Sequence, residues 1–524
     1  MKTKFSLLFI NLLFLLSSPV YSQNRFYGIV TDKLNGEGLT GANIFIPELN
    51  RGTIAGKDGS FEIILSEEQA VLVISYVGYE TITMKASSLQ SLKIEMDRDL
   101  IAFNDDVVIT GTRSVPRTVT SSAVPIDQFP QSVLANTGKM DLSQQLNSLA
   151  PSFYSSRLTY SDATDHLDPV TLRGMNPDQT LILVNGKRHH PSAVVNVLSV
   201  VGKGSVINDL NTIPSSAIDR VEILRDGASA QYGSDAIGGV VNLILRQDTG
   251  KVSMKTRVGQ TYEGDGLQSH FSANFGKGFK GGGYVNVTTQ LGVREKTNRA
   301  GTYQGLIYRT SGQDGLTFEE NLAIDNSLIE SRGLSREDFQ LQLGESEMSN
   351  ANLFFNSAVP MMDRSEFYAF GGLNYRNSLS AGDYRLPNDA ARGNLAIYPD
   401  GFLPEISARL TDQYITAGIR SQITDWEVDF SNTYGSNAID FYVGNSLNAS
   451  MGDDSPLEFE SGRIRFSQNT TSLDFSHRII GLSKMRAVDI LIGSEIRYEN
   501  YRIMAGEEAS WINENQLAYP GAQG

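Results

Sequence analysis

The run VTLRGMNPDQTLILVNGKRHH at 170–190 and the run LNTIPSSAIDRVEILRDGASAQYGSDAIGGVVNLILR at 210–246 decide how this part of the chain folds. Short stretches of β-branched and aliphatic residues predict strands at 180–184, 220–224 and 240–245. Asn185-Gly186 and Asp226-Gly227 close two of these strands, because both dipeptides accept the positive φ of a tight reversal. Pro214 opens a short helical turn, so the pattern indicates strands mixed with short helices.

A helix is expected just before these runs. Leu142, Leu146 and Leu149 recur at helical spacing, Asp141 is a candidate N-cap, and Pro151 stops the helix. The three leucines therefore belong to a core and not to a binding site.

The N-terminus is typical of a cleavable export signal. Lys2 and Lys4 precede an apolar run at 5–16, which is shorter than the about 20 residues that a membrane-spanning helix needs. Small residues before Gln23 suit cleavage there, so we expect a signal peptide at 1–22. The chain has no cysteine, which excludes a lipid-anchored lipoprotein and disulfides.

Composition narrows the possible partners. With 59 acidic and 44 basic residues the net charge is −15, and no basic stripe is present that would neutralise phosphates. A nucleic-acid partner is therefore not expected. No later apolar run is long enough for a membrane-spanning helix, which leaves a periplasmic, secreted or outer-membrane β-barrel protein.

The segment from Phe26 to Asp97 reads as a small β-sandwich of about seven strands, with turns at Asn35-Gly36, Asp58-Gly59 and Gly78. Asp32 and Asp58 are interpreted as turn residues and not as metal ligands. We assign residues 23–97 to this domain.

From about Lys251 the pattern changes to long alternation of apolar and polar residues. Trp426, Val428 and Phe430, for example, alternate with charged or polar neighbours. One apolar and one polar face over more than about ten residues favours strands with lipid on one side, because soluble strands average about five or six residues. Tyr262, Tyr375 and Tyr434 are expected near strand ends, as interfacial aromatic residues.

Long polar insertions at 301–350 and 382–413 fit outward loops that alternate with short turns. Roughly 270 residues follow the segment at 170–246, enough for about eight to ten strands with such loops. We therefore expect an unclosed barrel at 249–524 and interpret the chain as the N-terminal part of a longer protein, or a truncated product.

The motifs LRGM, LILVNGKR and IPSSAIDRVEILRDGASAQYGSDAIGGVVN, in this order, closely resemble the plug domain of TonB-dependent outer-membrane receptors. The elements GxVxD at Gly28, DGxF at Asp58 and YVGY at Tyr76 resemble the carboxypeptidase-regulatory-like domain that precedes the plug in Bacteroidetes-type receptors. The resemblance implies a mainly β chain: an N-terminal β-sandwich, an α/β plug domain at 115–248, and the first strands of a transmembrane antiparallel β-barrel, which closes with roughly 22 strands in the family.

The resemblance also implies a linker at 98–114 with a TonB box, the segment that couples such receptors to TonB. The candidate residues are Asp106, Val107, Val108, Ile109 and Thr110. An unpaired extended segment can add to the sheet of a partner through backbone hydrogen bonds. The alternative is the last strand of the sandwich or an inert linker.

Five residues are candidates for ligand contact at the outward side of the plug: Met175, Lys187, Arg188, His189 and His190. A cationic and imidazole cluster would suit an anionic or metal-chelating ligand. The alternative, which we favour here, is a charged and hydrogen-bonded plug surface against the barrel wall.

The chain carries no HExxH, Walker-type or GxSxG motif, and paired acids such as Asp453-Asp454 suit solvated turns, so we expect no enzyme, no cofactor and no resident metal. The resemblance implies TonB-coupled uptake across the outer membrane, with outer-membrane lipid around the barrel. A ferric siderophore is the leading ligand. The alternatives are a cobalamin, oligosaccharide or peptide importer, or a binding or signalling receptor without transport.

Overall fold

The computed structural model describes most of the chain from Asn24 onward. The described residues are 24–33, 36–49, 51–65, 68–76, 79, 81–87, 91–97, 107–108, 117–118, 126–157, 165–197, 202–225, 229–279, 282–362, 364–480, 487–515 and 519–522. The expected signal peptide at 1–22 lies outside them. The chain divides into two compact units, one up to Val107 together with Pro116–Thr120, and one formed by the rest.

The first unit contains seven strands in two sheets. They are β1 (Asn24–Asp32), β2 (Asn43–Ile46), β3 (Arg51–Ile54), β4 (Ser60–Leu65), β5 (Gln69–Ser75), β6 (Ile82–Ser87) and β7 (Ser91–Met96). One sheet has the order β4-β1-β7 and the other β3-β2-β5-β6. Strict alternation of exposed and buried residues in β4 and β7 places every second side chain in a shared core. This arrangement agrees with the seven-strand sandwich expected from the sequence.

Two very short strands, β8 (Val107–Val108) and β9 (Arg117–Thr118), pair with each other. They are the described parts of the segment between the sandwich and the plug. Asp106, Ile109 and Thr110 lie outside the described residues.

The plug forms the first part of the second unit. Its strands are β10 (Ile126–Pro130), β11 (Phe153–Ser155), β12 (Val170–Leu172), β13 (Thr180–Val184), β14 (Lys187–Arg188), β15 (Ile218–Leu224) and β16 (Gly239–Leu245). Its helices are α1 (Gln131–Asn136), α2 (Leu142–Leu149) and α3 (Ser229–Tyr232). The main sheet has the order β10-β15-β16-β13-β14, and β13 runs parallel to β16.

All residues of β13 and β16 are buried, which explains why these strands read as continuous apolar runs. Leu142 and Leu146 of α2 join the same core, as expected. A turn of 3₁₀ helix at Ser215–Ala217 follows Pro214, also as expected. Asp141 is the N-cap residue of α2, as expected, but its side chain makes no capping hydrogen bond.

The rest of the second unit is an antiparallel sheet of nine strands in sequence order, which we call the wall. The strands are β17 (Val252–Gly259), β18 (Gln268–Gly278), β19 (Tyr284–Arg294), β20 (Glu347–Met362), β21 (Ser365–Ala381), β22 (Glu405–Ile423), β23 (Trp426–Gly444), β24 (Phe459–Ile480) and β25 (Ala487–Ala505). Within the described part of the chain, β17 and β25 do not pair, so the wall is not a closed barrel.

The faces of the wall are reversed relative to a soluble sheet. Polar Asn286 and Thr288 of β19 are buried on the inner face, whereas Leu291 and Val293 are about half exposed on the outer face. This is the apolar-out, polar-in pattern of a strand with lipid outside. Tyr375 and Tyr434 lie in the middle of β21 and β23, so the expectation that they mark strand ends is wrong.

The connections alternate in length. β20 joins β21 and β22 joins β23 through two residues each, whereas 295–346 and 382–404 are long. We call the two ends of the wall the short-turn end and the long-loop end. β20 and β22 start several residues before the ends of the insertions expected at 301–350 and 382–413, because alternation begins within them.

The first long loop has structure of its own. Helix α4 (Phe318–Ser331) begins at a capping box, in which Thr317 and Glu320 each bond the backbone N–H of the other. Among the described residues we find no helix with the length and apolarity needed to cross a membrane.

Candidate functional site

The plug lies against the inner face of the wall. Two apolar clusters join the plug to the wall, and the first links plug residues such as Ile213 and Val221 to Tyr284, Phe354 and Phe370. The second consists of Leu167, Val194 and Ile207 of the plug with Ala408, Leu410 and Ile439 of the wall. The remaining contact is mostly polar, since the inner face carries side chains that can hydrogen-bond. The candidate site is this interface, and four of the five residues expected from the sequence to contact ligand lie along it.

Lys187 and Arg188 pair with carboxylates. Lys187 Nζ lies 3.1 Å from Asp429 Oδ1 in β23, near the short-turn end of the wall. Arg188 donates to Asp235 Oδ2 of the plug at 2.5 Å and lies 3.5 Å from Glu495 in β25. Both side chains are about nine-tenths buried. Lys187 thus lies near the short-turn end of the wall.

His189 and His190 follow directly and are buried with their rings stacked, 4.5 Å between centroids. His189 Nδ1 lies 2.8 Å from the carbonyl oxygen of His190, and His190 Nδ1 lies 2.9 Å from that of Pro191. The His189 ring also packs on Tyr414 of β22 at 4.7 Å. Neither Nε2 atom has a hydrogen-bond partner among the described residues.

Residues of β22 and β23 in the wall lie beside the two histidines. His190 Nε2 lies 3.6 Å from Asp412 Oδ1 in β22, and Asn437 Nδ2 of β23 donates to the other carboxylate oxygen at 2.9 Å. A Cβ at Gly435 would lie 1.7 Å from the His190 ring, so only glycine leaves room for it. The three ligand atoms of His189, His190 and Asp412 lie within 4.8 Å of one another, the arrangement of a possible cation site.

The two imidazoles titrate differently. Burial, followed by the neighbouring His190, lowers the pKa of His189 to about 3. Burial also disfavours the charge on His190, but the Asp412 carboxylate outweighs it and the net pKa of His190 is raised. His189 is therefore neutral at physiological pH.

Met175 is separate from this group. It is half-buried, in the turn after β12, and its Cβ lies 3.2 Å from where a Cβ at Gly238 would be. The structure does not bring Met175 together with the four basic residues. Ligand contact stays a prediction for Met175, Lys187, Arg188, His189 and His190. The geometry of the last four agrees with the alternative, in which they form a plug surface held against the wall.

A second charged group lies nearer the long-loop end and was missed by the sequence analysis. Arg376 of β21 is 2 % exposed and donates to Asp209 Oδ2 of the plug at 2.8 Å. His166 Nδ1 of the plug lies 2.7 Å from Ser378 Oγ on the same strand. Burial raises the pKa of the Asp209 carboxyl, although Arg376 acts in the opposite direction.

Asp141 belongs to the same region. Its carboxylate bonds Arg157 and lies 3.5 Å from Arg294 of β19, and Arg157 also pairs with Glu345. Burial raises the pKa of Asp141, but Arg157 and Arg294 outweigh it and the net pKa is lowered. The carboxylate that was expected to cap α2 instead links the plug to the wall.

Asparagines form a row on the inner face of the wall, which we call the asparagine row. Asn356 Nδ2 donates to the carbonyl oxygen of Arg246 at 3.0 Å and its Oδ1 accepts from Asn185 at 3.3 Å. The row consists of Asn274, Asn286, Asn352, Asn356 and Asn374, all buried. The plug and the neighbouring asparagines supply part of their hydrogen bonds. Asn274 Oδ1, Asn352 Nδ2 and Asn374 Oδ1 are buried without a partner among the described residues.

Two family models match the chain. Residues 118–240 match the TonB-dependent Receptor Plug Domain, and residues 26–109 match the CarboxypepD_reg-like domain. The chain therefore contains a TonB-dependent Receptor Plug Domain, with a CarboxypepD_reg-like domain before it. The finer domain boundaries assigned from the sequence stay predictions.

The proteins of assigned function that are similar to this chain are named as receptors. The ferric enterobactin receptor PirA of Pseudomonas aeruginosa is 40% identical over 85 residues, 16% of this chain and 11% of that protein. The ferrienterobactin receptor of Escherichia coli K12 is 28% identical over 153 residues, 29% of this chain and 19% of that protein. The matches thus span less than a fifth of the relatives' length.

Solved structures are also similar. The siderophore receptor PirA from Acinetobacter baumannii superposes with a TM-score of 0.48 at 15% identity, over 73% of this chain and 49% of that chain. The outer membrane transporter YddB from Escherichia coli gives a TM-score of 0.43 at 11% identity, over 72% of this chain and 48% of that chain.

Proposed function

We propose that the full-length protein is an outer-membrane receptor that imports a ferric siderophore with energy delivered through TonB. The observation that carries the proposal is a plug domain, matched at 118–240, packed against the polar inner face of a wall whose outer face is apolar. A plug inside such a wall blocks passage until it moves, which is the arrangement of a gated importer. The siderophore assignment is supported by the names of the relatives matched over the plug.

The proposal includes export by a signal peptide at 1–22, residence in the outer membrane, and transport without catalysis. Substrate would bind at the long-loop end, which faces outward, and TonB at the short-turn side. The strand at Val107–Val108 supports a coupling segment, because it pairs only with the two-residue strand at Arg117–Thr118 in the described part of the chain. A pairing this short is easily exchanged for a partner strand.

Uptake of ⁵⁵Fe-labelled ferric enterobactin tests the proposal in cells that carry the full-length gene and lack other siderophore receptors. Val108→Pro removes a backbone donor and should abolish energy-dependent uptake while surface binding is retained. Val108→Ala keeps the donor and is the matched control, with uptake near that of the wild type.

Binding without uptake in the wild type would indicate a receptor that does not transport. If the wild type neither binds nor imports the complex, the siderophore assignment is wrong, and cobalamin, oligosaccharides and peptides become the next ligands to test. Uptake that survives Val108→Pro would place the TonB box elsewhere.

A further inference from the structure

We propose that His189, His190 and Asp412 bind one divalent transition-metal ion, which ties the plug to the wall. The two histidines belong to the plug and the aspartate to β22, so an ion held by all three spans the interface. This inference concerns how the plug is held and is independent of which ligand the receptor imports.

The hydrogen bonds of the two imidazoles favour metal binding. A carbonyl oxygen can only accept, so the bonds to the carbonyl oxygens of His190 and Pro191 place a proton on Nδ1 of each ring. In a neutral imidazole the Nε2 atom then carries the free lone pair. An Nδ1–H bonded to a backbone carbonyl is the usual support of a metal-binding histidine.

The distances leave room for an ion and are too long for direct bonding. His190 Nε2 and Asp412 Oδ1 are 3.6 Å apart, beyond a normal hydrogen bond, and both Nε2 atoms are buried without partners among the described residues. Ligands at 2.0–2.1 Å in a tetrahedral site lie about 3.4 Å from one another. Each of the three residues offers one ligand atom within 4.8 Å of the other two, so the side chains must draw closer to reach that separation.

The surroundings hold the ligands in place. Asn437 donates to Asp412 Oδ2 at 2.9 Å and so leaves Oδ1 directed at the imidazoles. Asn437 also accepts from the backbone N–H of Ala193 in the plug at 2.9 Å, which fixes its own orientation. The absent side chain at Gly435 accommodates the His190 ring. A supporting shell of this kind typically changes metal affinity by about 10–100-fold.

The ligand set determines the class of ion. Two imidazoles and one carboxylate suit zinc, iron(II), cobalt or nickel, whereas magnesium and calcium prefer sites made of oxygen alone. Three protein ligands leave a further position for water.

Zinc binding to the full-length protein tests the proposal. The protein is purified in detergent with a tag that contains no histidine, stripped with a chelator, and titrated with zinc chloride by calorimetry. We expect one ion per chain, and at least about tenfold weaker binding in His189→Gln and in Asp412→Asn. His477→Gln is the control, because His477 lies near the short-turn end beside Trp426, away from the proposed site.

Zinc affinity that is equal in the wild type and both variants, or no binding by the wild type, would overturn the proposal. X-ray absorption of the zinc-loaded wild type gives a second readout that does not depend on the folding of a variant. We expect outer-shell scattering from two imidazole rings, and a spectrum without it would also overturn the proposal.

Discussion

Arg376 and Asp209 form a buried ion pair between wall and plug, with both side chains 2% exposed. Arg376→Met is expected to destabilise the protein by about 3–5 kcal/mol, because the Asp209 carboxylate is left buried without compensation. Arg376→Met combined with Asp209→Asn removes both charges and should recover most of this loss. The measurement is the free energy of unfolding by urea in lipid vesicles, for the wild type, both single variants and the double variant.

A double variant as unstable as Arg376→Met would show that the two charges are not coupled, and that the loss comes from packing around the arginine. Their coupling in the structure is direct, since Nη1 of Arg376 donates to Oδ2 of Asp209 at 2.8 Å.

At the level of single residues, the sequence showed which side chains of the plug stand out chemically, but not which residues they contact. His189 and His190 stand out because two adjacent imidazoles follow Asn185-Gly186, and they do lie in the interface. Asp412 and Arg376 carry no local signal, because each occupies one inward position of a regularly alternating strand. Their roles depend on contacts with plug residues that are more than 150 positions away in the sequence. Asp209 and Arg376, for example, are 167 positions apart. The periodicity of a strand does not encode such contacts.

Among the elements, helix α4 fixes the first long loop through one carboxylate. Asp325 is fully buried and accepts the backbone N–H groups of Ile307 at 2.7 Å, Tyr308 at 2.8 Å and Arg309 at 3.2 Å. In Asp325→Asn an NH₂ group replaces one carboxylate oxygen and faces these N–H donors. Each backbone N–H group that loses its acceptor costs about 1–3 kcal/mol of stability. We expect proteolysis within 301–346 to become roughly tenfold faster or more, measured by mass spectrometry of limited digests.

Asp314→Asn is the control for this change, because Asp314 lies in the same loop with an exposed side chain and only one ion pair, to Arg309, is seen in the described part of the chain. Equal digestion of the two variants would mean that Asp325 does not organise the loop.

The strands of the wall could be predicted because apolar and polar residues alternate along them, and the nine observed strands fall within the range expected from length. Their ends could not be predicted, because the polar residues of a loop resemble those of an inward strand face. The positions of Tyr375 and Tyr434 within their strands could not be predicted either, because an aromatic residue suits the middle of an outer face as well as its ends.

For the whole molecule, the reversed faces of the wall predict that the destabilisation caused by a charged substitution on the outer face depends on its depth in the membrane. Ile415 lies at the middle of the outer face of β22, and Ile423 lies on the same face at the short-turn end. Ile415→Arg should destabilise the protein by about 2–4 kcal/mol and Ile423→Arg by about 0–1 kcal/mol, because the charge is buried at the bilayer midplane in only one of them. Reversible unfolding from lipid vesicles measures both, and equal losses would argue against lipid at this face.

The asparagine row determines how the plug resists a mechanical pull. An apolar interface resists separation in proportion to its area, at about 25 cal/mol per Å². A hydrogen bond such as that from Asn356 to the carbonyl oxygen of Arg246 can instead be exchanged for one to water, with a net loss of only about 0.5–1.5 kcal/mol. The hydrogen-bonded part of the interface can therefore yield one contact at a time, whereas the apolar clusters and the buried Arg376–Asp209 pair add larger barriers.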